Sequence, residues 1–110
     1  KFYLSDKIEI IKFKPIHGYK NLPYVFGNKE QFKIFYNNLK KINFPFDLII
    51  KYTLYESNRW DLETKNKKII KLPRRGYTES LKNFLDLSVK ESYKNFDTFD
   101  FRIKDQLILK

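Results

Sequence analysis

Side chains able to do chemistry are few in this sequence, and they do not converge. His17 is the only histidine and lies in a Pro/Gly-rich connection running from Pro15 to Pro23, which reads as a solvated loop position and not as a general base. The chain has no cysteine, so thiolate nucleophiles, thiolate zinc sites and disulfides are excluded together. No serine stands in a nucleophile-elbow setting, and three scattered glycines build no phosphate-cradling loop. Two carboxylate pairs remain, Asp61 with Glu63 and Asp97 with Asp100. The first pair falls on the polar face of an alternating stretch, and both read as solvated positions and not as acid–base or metal pairs. The sequence therefore predicts no catalytic residue, no metal and no cofactor.

Binding is the better expectation, and the charge balance bears on it. Twenty-three Lys+Arg against thirteen Asp+Glu give a net charge of +10, the balance expected of a protein that meets nucleic acid or another polyanion. Arg74-Arg75-Gly76-Tyr77 is a basic loop with an aromatic beside it, and eight tyrosines and eleven phenylalanines offer stacking platforms. Composition supplies a rival cause. Only four of the cations are arginines, alanine is absent, and Lys, Asn and Ile abound, as an A+T-rich genome would produce without selection for anion binding. The phenylalanines also fall on the inward phases of helices and strands, and no RNA-recognition strand motif is present. A basic nucleic-acid-binding module is thus the alternative reading, not the leading one.

The elements that must position any binding surface are legible in the pattern. With 110 residues, 42% hydrophobic and a mean hydropathy of −0.60, the chain is predicted to be one domain, residues 1–110. No apolar run approaches the roughly 18 residues of a membrane helix. Lys1 to Phe13 reads as a hairpin around Ser5-Asp6-Lys7, followed by an irregular connection ending at Gly27. Asn28 to Lys40 is a helix capped by Asn28, with Gln31 three residues on and an apolar stripe of Phe32, Phe35, Tyr36 and Leu39. Asp47 to Glu56 is a strand whose even positions, Leu48, Ile50, Tyr52 and Leu54, form one apolar face. Arg59 to Thr64 alternates, with Trp60, Leu62 and Thr64 inward, and pairs as a hairpin with Lys68 to Leu72 through Lys65-Asn66-Lys67. Thr78 caps a second helix running to about Ser92, with Leu81, Phe84, Leu85, Ser88 and Val89 on its stripe. Phe99, Phe101 and Ile103 then alternate with Asp100, Arg102 and Lys104, and Leu107 to Leu109 is a last apolar strand. The predicted class is α+β: a mainly antiparallel sheet with two helices packed on one face.

The order of small motifs adds a family. Leu22-Pro23-Tyr24-Val25-Phe26-Gly27, a helix, Arg59-Trp60-Asp61-Leu62, Ile70-Lys71-Leu72-Pro73, a second helix and Asp100-Phe101-Arg102 together resemble the periplasmic β domain of the bacterial cell-division protein family FtsQ/DivIB, in its alphaproteobacterial versions. The resemblance covers essentially the whole chain. It implies a non-catalytic divisome scaffold at the septum, in a longer product that carries a membrane helix and a POTRA domain ahead of this domain. The absence of any methionine, including at position 1, agrees with such a segment. The implied partners are FtsB-like and FtsL-like proteins, with no specific nucleic acid, and the domain alone is expected to be monomeric. The family implies that a partner strand adds to the edge of the last strand. The implied partner-binding residues are Arg59, Arg102, Ile103, Asp105, Leu107, Ile108 and Leu109.

Three departures from the family pattern matter. Ile103 stands where gammaproteobacterial members often carry an aromatic. The basic residue those members place three positions before the tryptophan falls on Ser57, with Arg59 adjacent. The family's Asn-Gly turn is Asn66-Lys67. Independently of the resemblance, Leu107, Ile108 and Leu109 with no proline among them would be a liability at an open edge. Sequence alone leaves that strand either internal or at the edge, and leaves open which of its residues face outward.

Overall fold

The computed structural model describes residues 23–110 and the backbone of two earlier strands, β1 (Phe2–Leu4) and β2 (Ile10–Lys12). There follow β3 (Tyr24–Phe26), α1 (Lys29–Lys41), a 3-10 turn (Phe46–Leu48), β4 (Ile49–Leu54), β5 (Trp60–Thr64) and β6 (Ile69–Lys71). The chain ends with α2 (Tyr77–Ser88), a second 3-10 turn (Glu91–Tyr93), β7 (Thr98–Asp100) and β8 (Ile108–Leu109). All the strands join one sheet in the order β2-β1-β3-β4-β5-β6-β7-β8. Neighbours are antiparallel except β3 with β4 and β6 with β7. Those two parallel pairs are the ones with a helix between their strands, because a parallel connection must cross the sheet and a tight turn cannot do so. The fold is α+β and the sheet mixed but mostly antiparallel, as the pattern predicts.

Register explains the core. Val25, Tyr52, Leu62, Ile70, Phe99 and Leu109 are partners strand by strand from β3 to β8, so one apolar row crosses six strands on one face. The first five of these are fully buried. Both helices cover that face. From α1, Phe32 meets Tyr52 edge-on at 5.1 Å between ring centroids and Phe35 stacks on Trp60 at 4.9 Å. From α2, Phe84 meets Phe99 edge-on at 5.0 Å. The stripe of α1 is as predicted, and the Asn28 side chain caps the helix by accepting from the Gln31 amide at 3.0 Å.

Several expectations need correction. The connection before Gly27 contains β3, a three-residue strand between Pro23 and Gly27 sustained by antiparallel pairing to β1 and parallel pairing to β4. The hairpin of β1 and β2 is present in the backbone register, whereas Ser5-Asp6-Lys7 and His17 lie outside the described residues. The even-phase face of β4 fails: Ile49 and Tyr52 are both buried, three apart, because a register irregularity between Ile49 and Lys51 shifts the alternation, and Leu48 is exposed in the 3-10 turn. A bulge lets two residues oppose one and so resets which side chains face in. Helix α2 begins at Tyr77, not after Thr78, with Gly76 at its N-cap in the left-handed region, φ 74°. It ends at Ser88, which leaves Val89 exposed. Alternation beyond Asp100 also fails, since β7 stops there and Ile103 stands in a turn, exposed. The departure from Asn-Gly has a local answer: Lys67 adopts φ 65°, the left-handed position a three-residue hairpin loop requires.

Two substitutions test this packing. Gly27 has φ 156°, and a Cβ added there would stand 2.7 Å from Leu54 Cβ; Gly27→Ala is expected to cost about 1–3 kcal/mol, read as a lower midpoint in thermal unfolding. Tyr52 is buried between the rings of α1, and its hydroxyl has no hydrogen-bond partner among the described residues. Burial raises its pKa far above the ordinary tyrosine value, so it stays a neutral, unpaired donor. Tyr52→Phe is therefore expected to leave stability unchanged or raise it by about 1 kcal/mol; a clear loss in denaturant titration would contradict this.

Candidate docking edge

Among the described residues, the last strand terminates the sheet. β8 pairs with β7 on one side and is the end of the strand order. Lys110 donates to the Thr98 carbonyl at 3.1 Å, and its own carbonyl accepts from the Thr98 amide at 3.1 Å. Thr98 and Lys110 are thus a hydrogen-bonded pair, and in an antiparallel ladder such pairs alternate with pairs that exchange no bonds. The next pair, Phe99 with Leu109, is of the second kind, and Asp100 with Ile108 returns to the first. Ile108 and Lys110 consequently turn their backbone groups inward to β7. Leu109, and Leu107 by the same alternation, turn theirs outward. The side chains of Leu107 and Leu109 pack against the core on the helix face, while Ile108 is exposed on the other.

A tight turn leads into this edge. The Gln106 amide donates to the Ile103 carbonyl at 3.1 Å, and Asp105 adopts φ 60°. A short polar side chain tolerates that left-handed position, so the turn accounts for the residue type at Asp105. Arg102 departs from expectation. Its guanidinium is not free: Nε donates to Asp100 Oδ1 at 2.8 Å and Nη2 to Oδ2 at 2.6 Å, while its backbone amide donates to Oδ1 at 3.0 Å. Asp100 is 5% exposed, which corrects its reading as a solvated carboxylate. The signal was present in the sequence as an aspartate two residues before an arginine, a spacing at which the carboxylate reaches both the amide and the side chain.

Arg59 is not at the edge. It precedes β5, three strands from β8, and its Nε donates to Ser57 Oγ at 3.0 Å. Arg59 and Arg102 nevertheless act on the same groups, since both arginines influence Tyr55 and Asp61 electrostatically. Asp61, Lys71 and Asp100 are successive cross-strand partners, a row of alternating charge on the sheet face away from the helices.

The two aspartates are pushed in opposite directions. Arg102's hydrogen bonds hold the Asp100 carboxyl below the usual carboxylate range, whereas burial pushes Asp61 above it, against the pull of Lys71. Acidification from neutral pH is expected to protonate Asp61 before Asp100, which relieves a half-buried charge. Asp100 follows, and the stabilisation from its ion pair, present above the unfolded carboxylate pKa, is lost as pH falls through its lowered value. Carboxyl carbon shifts followed by NMR check the order; Asp100 titrating before Asp61 would contradict it.

Beside the edge, a groove of about 1000 Å³ lies between α2 and the Phe101–Leu107 segment, lined by the apolar Leu87, Phe101 and Leu107 and by charges of both signs, Arg75, Lys90 and Lys104 with Glu79, Asp86 and Asp105. Arg74 and Arg75 are exposed in the loop before α2. Among the described residues, no group of three or more His, Cys, Asp or Glu is arranged to hold a metal ion, and no helix is long and apolar enough to cross a membrane. No protein-family model matches the chain, and no similar curated protein is found.

Proposed function

We propose that this is a non-catalytic docking domain that accepts a strand of a partner protein on the open edge of β8. The observation that carries the reading is the outward direction of the Leu107 and Leu109 backbone groups on a strand that, among the described residues, is paired on one side only. Unpaired donors and acceptors on an apolar edge strand are satisfied by water or by another strand, and a partner strand also covers Ile108, 36% exposed. The adjoining groove supplies apolar surface and charges of both signs for what precedes or follows such a strand. Taken with the FtsQ/DivIB resemblance, the partners are FtsB-like and FtsL-like division proteins, and the site of action is the bacterial periplasm at the septum, with the full-length protein anchored in the inner membrane.

The test is a binding titration of the domain with the periplasmic segment of an FtsB-like protein from the same genome, run beside single-stranded DNA at two salt concentrations. Saturable binding of the segment with a shallow salt dependence, and DNA binding that vanishes at physiological salt, is the expected result. Tight DNA binding with a steep log–log salt slope and no binding of the segment would replace this reading with the nucleic-acid one.

A further inference from the structure

Asp100 does two things at one place. Its backbone forms the hydrogen-bonded pair with Ile108 that ends the β7–β8 ladder, and its carboxylate accepts three bonds from Arg102, one from the amide and two from the guanidinium. The amide bond is an Asx turn, which bends the chain away from strand geometry immediately after Asp100. The guanidinium bonds fix where the bent chain goes, because the fork of Arg102 matches a carboxylate in one plane. On the other side of Asp100 stands Lys71, its partner across β6, and the Phe101 amide donates to the Lys71 carbonyl at 2.8 Å. The chain thus leaves β7 held on both sides and returns as β8 with Leu109 opposite Phe99. A one-residue slip in that return would exchange inward for outward backbone groups and move Leu107 and Leu109 off the core face.

We propose that Asp100 is a positioning residue for the docking edge: by clasping Arg102 it fixes the register of β8, so that Leu107 and Leu109 present their backbone groups outward. This inference rests on the reading of β8 as a docking strand. It assigns Arg102 to a role inside the domain, as the other half of the clasp, and not to a direct partner contact.

Asp100→Asn keeps an acceptor for the Arg102 amide and removes the ion pair. Arg102→Met removes the guanidinium, and Arg102→Lys keeps the charge without the fork. Each is measured in the isolated domain by hydrogen exchange at the Ile108 and Lys110 amides, with Leu62 and Ile70 as internal references, and then by titration with the FtsB-like segment. The expected result is a tenfold or greater acceleration at Ile108 and Lys110 in Asp100→Asn and Arg102→Met, little change at Leu62 and Ile70, and partner binding weakened by a similar factor. The double variant is expected to be no worse than either single one, since both remove one interaction, and Arg102→Lys to recover only part of the loss. Unchanged exchange in β8 in both single variants would overturn the proposal. Accelerated exchange with undiminished partner binding would leave the clasp in place and overturn the docking reading instead.

Discussion

Leu109→Pro is expected to leave the isolated domain folded and to abolish partner binding, whereas Ile108→Pro is expected to loosen the domain itself. Proline removes one backbone donor and adds bulk on the side the donor faced. Ile108 stands in the hydrogen-bonded pair with Asp100, so its amide faces β7, and losing that ladder bond is expected to cost about 1–3 kcal/mol. Leu109 stands opposite Phe99 in the pair that exchanges no bonds, so its amide faces outward. There the proline ring would occupy the place of a partner strand, and binding should fall by about a hundredfold or more while the melting temperature moves little. Leu107→Pro is expected to follow Leu109, and Gln106→Pro to break the turn bond to Ile103. Circular dichroism melting and binding titration read the two consequences separately. If both Ile108→Pro and Leu109→Pro melted and bound as the parent does, β8 would be neither a ladder member nor a docking edge.

Trp60→Ala carries the largest expected loss of stability, about 3–5 kcal/mol. Trp60 is 6% exposed, lies stacked on Phe35 and meets Phe32 edge-on at 5.7 Å. It joins β5 to α1, and its Cη2 would lie 3.5 Å from a Cβ added at Gly27. Removal opens a cavity between sheet and helix that the rings of Phe32 and Phe35 cannot fill without leaving Tyr52. Partner binding at β8, several strands away, should survive wherever the variant remains folded. Unchanged stability in denaturant titration would remove Trp60 from the core.

Local signals were readable where a single element decides its own geometry. The Asn28 cap, the stripe of α1 and the alternation of Trp60, Leu62 and Thr64 each follow from period and side-chain chemistry within one segment. What escaped depends on other segments. β3 is three residues between two breakers and exists because β1 and β4 lie on either side of it. The bulge in β4 appears only in its pairing with β5. Whether Leu107–Leu109 is an edge depends on strand order, which no local pattern encodes, and the outward residues are fixed by one pair of bonds between Thr98 and Lys110. Alternation extended past Asp100 puts Arg102 on a strand's free face, but the strand ends at Asp100, whose carboxylate also captures the arginine.

If a partner strand pairs with the outward groups of β8, residue-resolved amide exchange in the complex with the FtsB-like segment will show it. In the free domain the Ile108 and Lys110 amides should exchange slowly and those of Leu107 and Leu109 fast. On binding, Leu107 and Leu109 should become protected while Ile108 and Lys110 change little. A complex in which Leu107 and Leu109 still exchange fast, with protection gained elsewhere on the domain, would contradict strand addition at this edge.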